Sequence, residues 1–269
     1  MRWPAILLAL LVAGCDVAPP PPAPARAMRI VSLDYCADQY LLKFADRARI
    51  AALSPDATRD FSYMRAAARG LPQVAARAED VLVLRPDLVI RSYGGGPGAE
   101  AFFASAGVPV LQLGYAGDLA AVRQAAIDVA AQLGEPARGQ ALASQIDTRL
   151  AALPATTRTE ALYLTPGGVT AGEGTLIAAM FDAAGLANFQ REPGWHPLPL
   201  ERLAYEAPDM IAAADFNDNQ PHRWSAARHP VAQRQMADRP VVPIEGASTA
   251  CGGWFVLDAI EALAEGAAR

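Results

Sequence analysis

The stretch "AEDVLVLRPDLVI" occupies residues 78–90, and "LERLAYEAPDMIA" occupies residues 200–212. Each carries a glutamate (Glu79, Glu201), a short apolar run, and then a proline (Pro86, Pro208), an aspartate and a strand-like run. The glutamate opens a helix that has to stop before the proline, because proline disfavours helical geometry in the residue it follows. A short helix feeding a buried strand, written twice, points to a duplicated unit.

The flanking sequence fits that reading. Before the first copy, "RIVSLD" (29–34) reads as a strand, "CADQYLLKFA" (36–45) as a helix with Ala37, Tyr40, Leu41 and Phe44 on one face, and "RIAALS" (49–54) as a second strand. After it come the strand "DLVIRS" (87–92), the helix "GAEAFFASAG" (98–107) and the strand "PVLQLG" (109–114). The second copy sits in a similar series: strand 160–165, helix 172–185, strands 209–215 and 239–246, and a terminal helix over 252–268. Continuous apolar strands separated by helices predict α/β architecture, with parallel sheets covered on both faces.

Between the halves, residues 118–154 carry two helical stripes, Leu119-Val122-Ala126-Val129-Leu133 and Leu142-Ile146-Leu150-Leu153, punctuated by Gly134 and Pro136. This reads as a long helical spar joining two lobes, with two ordinary packed helices as the alternative. The expected organisation is a leader over 1–15, a linker over 16–27, a first lobe over 28–117, the spar over 118–154 and a second lobe over 155–269.

The leader, "MRWPAILLALLVAGC", has a basic start and an apolar run too short to span a bilayer. It ends in Val12-Ala13-Gly14-Cys15, which resembles a bacterial lipobox in which Cys15 is acylated; an ordinary signal peptide cut in "APARA" is the alternative. Acylation would anchor the chain to a membrane surface, and Asp16 resembles the signal that retains such lipoproteins at the inner membrane. The proline-rich linker is a semi-extended spacer, so the folded body is expected outside the cytoplasm, in the periplasm. There an oxidising milieu permits a Cys36–Cys251 disulfide, with two buried free thiols as the other possibility.

Composition excludes several functions. A net charge of −5 over 269 residues gives no electrostatic footprint for nucleic acid. The three histidines, His196, His222 and His229, share no metal-ligand spacing, so no protein-held metal is expected. "GGGPGAE" (94–100) lies between a strand and a helix but lacks the Gly-Lys-Ser/Thr ending of a phosphate loop. No nucleophile elbow or paired acid–base constellation occurs, which points away from an enzyme.

Ligands of open α/β sheets bind outside the carboxyl ends of the strands. Tyr35, Arg91, Tyr93 and Phe216 stand at such ends, with Trp195 and Trp254 in or beside loops. Together they predict an aromatic-walled cleft in which Arg91 favours an anionic ligand. Glu79 and Glu201, each in a first helical turn, gain about 0.3–1 kcal/mol from the helix dipole. Their matched placement also suits a two-fold partner that carries arginines.

From about residue 29 to 265 the chain resembles the substrate-binding proteins of ABC importers for cobalamin and iron chelates. The resemblance rests on "RIVSLDYCADQYLL", "EDVLVLRPDLVIRS", "TAGEGTLIAAMFDAAGLAN" and "GWHPLPLERLAYEAPDMI", in that order. It implies two Rossmann-like lobes with central parallel sheets joined by a long α-helix, the class III periplasmic binding protein fold. It also implies that Glu79 and Glu201 dock on a permease dimer driven by a cytoplasmic ATPase, and that Trp195 lines the pocket. The expected ligand is a metal chelate, a ferric siderophore or a cobalamin-like corrinoid. Where the cobalamin-binding member has a second aromatic clamp this chain has Arg91, which leans the expectation toward an anionic ferric chelate. A heme receptor of the same fold, with Tyr35 or Tyr93 near the iron, is an alternative. So are a bare manganese or zinc receptor, a signalling receptor and, less in keeping with the motifs, an exported α/β enzyme. A monomer with no intrinsic cofactor is expected.

Overall fold

The computed structural model describes residues 28–154, 159–215 and 225–268. In the first half, strands β1 (Ile30–Ser32), β2 (Ile50–Ala52), β3 (Leu88–Arg91) and β4 (Val110–Gln112) alternate with helices α1 (Tyr35–Phe44), α2 (Arg65–Ala68), α3 (Ala78–Val83) and α4 (Ala99–Ser105). The strands are all parallel, in the order β2-β1-β3-β4. Helices α5 (Leu119–Gln132) and α6 (Pro136–Ala151) follow. The second half contains β5 (Glu160–Leu164), β6 (Val169–Ala171), α7 (Leu176–Ala183), β7 (Ala187–Asn188), β8 (Trp195–Pro197), α8 (Leu200–Tyr205), β9 (Met210–Asp215), α9 (Pro230–Asp238), β10 (Val241–Glu245) and α10 (Val256–Ala267). Its parallel sheet runs β7-β5-β9-β10, and β6 and β8 form a separate antiparallel pair. With that pair set aside, both parallel sheets have one order: second strand, first, third, fourth.

The repeated phrase has a structural role in this plan. The N–H of Asp87 donates to the carbonyl of Arg29 at 2.8 Å, and the Asp87 carboxylate accepts the N–H of Arg29 at 2.7 Å. In the second half, Asp209 makes the same two bonds with Glu160, both at 2.8 Å. Each aspartate therefore locks its third strand in register beside the first, which matters because a one-residue slip would turn every buried side chain outward. The short helices supply one core residue each, Val81 on α3 and Leu203 on α8. Arg85, with φ 47°, turns the chain out of α3 toward Pro86.

Residues 118–154 form a helical hairpin rather than one continuous spar. Gly134 (φ 81°) reverses the chain between α5 and α6. The two helices then pack so closely that a Cβ on Gly139 would sit 2.7 Å from the Ala130 Cβ. Helix α6 still joins the halves. Near its start Arg138 donates to the Phe44 carbonyl (2.7 Å) and pairs with Asp46 (3.1 Å). Near its end Arg149 pairs with Asp258 (2.6 Å) and Glu261 (2.7 Å) on α10. Among the described residues no helix is long and apolar enough to cross a membrane.

The largest apolar cluster runs through both halves, from Ile30, Leu41 and Phe44 past Ile146 to Tyr163, Phe181, Trp254 and Ile260. Smaller clusters cover the outer sheet faces, around Val89 and Phe103 in one half and Leu162, Phe189 and Ile211 in the other. Cys36 and Cys251 are joined by a disulfide (Cα–Cα 5.6 Å) that ties the start of α1 to the loop before α10 across 215 residues of chain. A loop of that length corresponds to about 5 kcal/mol of chain-entropy stabilisation.

One acid works against the fold. Asp38, fully buried on α1, accepts bonds from the Ser54 hydroxyl (2.6 Å) and N–H (3.0 Å). Burial nonetheless outweighs them and raises its pKa from 3.8 to about 6. The folded state thus holds this proton more tightly than the unfolded chain does, a contribution fully present below the ordinary carboxylate value and lost as pH rises through about 6. We expect stability to fall between pH 4 and pH 7 by on the order of 2 kcal/mol from this group. Asp38→Asn should flatten that slope in denaturant titrations, and an unchanged slope would rule the assignment out.

Candidate functional site

A cavity of about 490 Å³ lies between the halves, beside the carboxyl ends of β3 and β4 in the first. From the first half it is walled by Cys36, Ser92, the 112–116 segment after β4, and Gln124, Asp128 and Gln132 of α5. From the second half come Leu176 and Ile177 of α7, Trp195 of β8, and residues 249–252. The Cys36–Cys251 disulfide is therefore part of the wall.

A buried carboxylate organises the first-half side. Asp34 Oδ1 caps α1 by accepting the Ala37 N–H at 2.9 Å. Its Oδ2 accepts the N–H groups of Ser92 (2.7 Å), Tyr93 (3.0 Å) and Gly94 (2.9 Å). Gly94 is needed for this approach, since a Cβ there would lie 2.4 Å from the Leu33 carbonyl oxygen. The clamp sets Tyr93, half exposed, edge-on to Tyr35 at 6.0 Å, and Tyr35 in turn is edge-on to Phe61 at 4.9 Å. The Tyr35 hydroxyl donates across the seam to the Ala250 carbonyl at 3.5 Å. Both phenols are held above the ordinary tyrosine value, chiefly by burial. For Tyr35 the next cause is the charge of Asp34; for Tyr93 it is Tyr35, followed by Asp34. They are hydrogen-bond donors at neutral pH.

On the opposite side, the β6–β8 ribbon presents Trp195, which is 52% exposed and edge-on to Tyr163 at 6.2 Å. The Tyr163 hydroxyl reaches Thr249 Oγ1 at 3.5 Å. Tyr115, 78% exposed, stands on the first-half wall. Tyr115 and Trp195 thus offer ring surface to one cavity from opposite halves.

The aromatic and charged residues expected at the cleft divide between wall, rim and core. Trp195 is on the wall, while Tyr35 and Tyr93 cluster beside it at the Asp34 clamp. Trp254 is not on the wall. It is 5% exposed, edge-on to Tyr40 (5.5 Å) and Phe255 (5.3 Å), with the Lys43 ammonium 5.3 Å from its ring, and it packs the seam between halves. Arg91 is also misplaced by the sequence reading, being 7% exposed and absent from the wall, with no hydrogen-bond partner for Nε among the described residues. The cause is strand periodicity: Arg91 falls two residues after Val89, on the outer face of β3, while Ile90 faces the central core. The charged side chain on the wall is instead Asp128, bonded to Gln124 at 2.8 Å. The wall therefore lacks the Arg91 charge and is mostly apolar, with Leu113, Val129, Leu176 and Ile177 beside the aromatic rings and the amides, hydroxyls and Asp128 carboxylate set among them. Phe216 and Cys15 lie outside the described residues.

Tyr115 and the Gln124-Asp128-Gln132 stripe were missed. Tyr115 follows a strand just as Tyr35 does, so the same rule would have found it. The stripe repeats every four residues on the polar side of α5, where it reads as ordinary solvated surface. Glu79 and Glu201 are exposed at equivalent places in the two halves, away from the cavity, with Glu79 4.0 Å from Arg77. Among the described residues no group of three His, Cys, Asp or Glu side chains is placed to hold a metal ion.

The architecture has relatives among solved structures. The periplasmic heme-binding protein RhuT of Roseiflexus sp. RS-1 is similar over 90% of this chain and 99% of its own, with 24% identity and a TM-score of 0.69. The periplasmic heme-binding protein HutB of Vibrio cholerae aligns over 88% of this chain and 98% of its own (20% identity, TM-score 0.72). The periplasmic vitamin B12 binding protein BtuF of Vibrio cholerae aligns over 90% and 96% (19% identity, TM-score 0.61). At these identities the likeness establishes the fold. No curated protein matches the sequence. The family model described as "Periplasmic binding protein" matches residues 30–241. The chain belongs to the periplasmic binding protein family.

Proposed function

We propose that this protein is the substrate-binding component of an ABC importer, capturing a metal chelate between its halves and delivering it to a membrane permease. The observation that carries the proposal is the pair of exposed aromatic rings, Tyr115 and Trp195, lining one 490 Å³ cavity from opposite halves. Such walls suit a broad, flat, largely apolar ligand. The relatives described as heme-binding and vitamin B12 binding support a macrocyclic chelate within that class. With Asp128 as the wall's charged side chain, a neutral or cationic chelate rimmed with amides or hydroxyls fits better than a polyanionic ferric siderophore. Heme is the second reading, favoured by Tyr35 and Tyr93 beside the cavity.

Capture involves little movement of the halves in this proposal, because they share one core and a disulfide. Glu79 and Glu201 serve as the two contacts with a two-fold permease. Cys15 carries the lipid that keeps the receptor on the periplasmic side of the inner membrane.

The direct test is calorimetry or fluorescence quenching of the mature protein against cobalamin, cobinamide, heme and several ferric siderophores. Binding to none of them removes the chelate reading. Tyr115→Ala and Trp195→Ala should each weaken the preferred chelate about ten- to hundredfold, given about 1.5–3 kcal/mol for covering an apolar side chain. Unchanged affinity in both would take the rings out of the site. Reversing Glu79 and Glu201 to arginine should abolish uptake and leave chelate affinity intact; lost affinity would place them in the pocket instead. Cys15→Ser should release the protein from membranes into the soluble periplasmic fraction, and continued anchoring would refute acylation at that residue.

A further inference from the structure

The two most exposed large apolar side chains among the described residues are Tyr205 (92%) and Val83 (79%). Each lies four residues after one of the paired glutamates, Val83 after Glu79 on α3 and Tyr205 after Glu201 on α8. Residues four apart share a helix face, so each helix shows solvent an acid and an apolar side chain one turn apart. The helices match position by position. Two residues after the glutamate is the buried anchor, Val81 or Leu203; then comes the exposed apolar residue; then the proline; then the aspartate that locks the sheet. Fold stability accounts for the anchor, the proline and the aspartate. It gives no reason for the exposed apolar residue, since valine and tyrosine are mediocre helix formers and neither side chain packs into a core cluster.

Each patch also carries an arginine paired with another acid at or beside the helix, Arg77 with Asp80 and Arg202 with Glu206, both at 2.7 Å. Arg77 also lies 4.0 Å from Glu79, so each patch sets one arginine against two acids, Glu79 with Asp80 or Glu201 with Glu206, and presents net negative charge.

We propose that Val83 and Tyr205 are the apolar halves of two composite docking patches, and that the partner is a membrane protein with two equivalent sockets. Each socket offers a basic residue for the glutamate and, one helical turn away, an apolar recess for the neighbouring side chain. The proposal rests on the docking reading of the glutamates given above and deepens it. Charge complementarity selects basic sockets, and the shared strand order of the two halves selects a partner with two-fold equivalence. Valine in one patch and tyrosine in the other means that the recesses differ in depth, which fixes which half meets which socket when the two sites are not identical.

Two measurements test this on the full-length chain. First, p-benzoylphenylalanine placed at position 83 or 205 is photo-activated in membranes of the native host. Adducts from both positions with a polytopic membrane protein are expected. Adducts of twice the chain mass, adducts with soluble proteins, or none at all would overturn the proposal. Second, binding of the Val83→Ser/Tyr205→Ser double variant to the host's permease–ATPase complex in nanodiscs is compared with the parent at low and high salt. Salt screens ion pairs but not apolar contacts. The double variant should therefore bind about tenfold more weakly at low salt and lose binding at high salt, with unchanged melting temperature and chelate affinity. Parent-like binding at both salts would overturn the apolar role. If the Glu79→Arg/Glu201→Arg variant also binds like the parent, the docking reading itself falls; if it alone fails to bind, only the present inference does.

Discussion

An uninterrupted apolar seam between the two halves is the constraint on which the rest of the molecule depends. Phe44, Tyr40 and Tyr63 of the first half meet Trp254 and Phe255 of the second, and α5 and α6 close the back of the same cluster. Polar contacts are laid over it. The Tyr40 hydroxyl donates to the Gly252 carbonyl at 2.9 Å, the Tyr63 hydroxyl donates to Asp258 at 2.6 Å, and Arg65 pairs with Glu245 at 2.6 Å. Separating the halves would expose this entire surface to water, which opposes their parting.

Two buried aspartates at the head of α1 show how differently a fold can use the same group. Asp34 receives four backbone N–H groups and thereby fixes the loop that carries Tyr93. Its position is a matter of geometry: a helix cap and a strand end that converge on one carboxylate. Asp38, one turn later, has only serine partners, and burial makes its charged form unfavourable enough to hold a proton near pH 6. The first acid orders the rim of the cavity, whereas the second makes folding sensitive to mild changes in pH.

The duplicated phrase divides its structural roles residue by residue. Its aspartates set strand register and its buried valine and leucine anchor the short helices. Its glutamates and the apolar residues one turn later face outward. One local sequence can do all of this because a six-residue helix has distinct faces, and the sheet beneath it leaves the outer face in solvent.

Much of the fold was legible in the chain by itself. Apolar periodicity, Pro86 and Pro208 as helix stops, and the repeated phrase determined two α/β halves with parallel sheets and an intervening helical segment. These features depend on neighbours in sequence, where steric rules and period act directly. The tertiary structure decided the rest. It folded residues 118–154 into a hairpin, because Gly139 lets two helices touch, and it added the β6–β8 ribbon that carries Trp195. It sent Arg91 to the outer face and Trp254 into the seam, and it brought Cys36 to Cys251. Whether a side chain at a strand end meets ligand, core or the far lobe depends on what packs over it. That is set by contacts between residues distant in the chain, which no local pattern encodes.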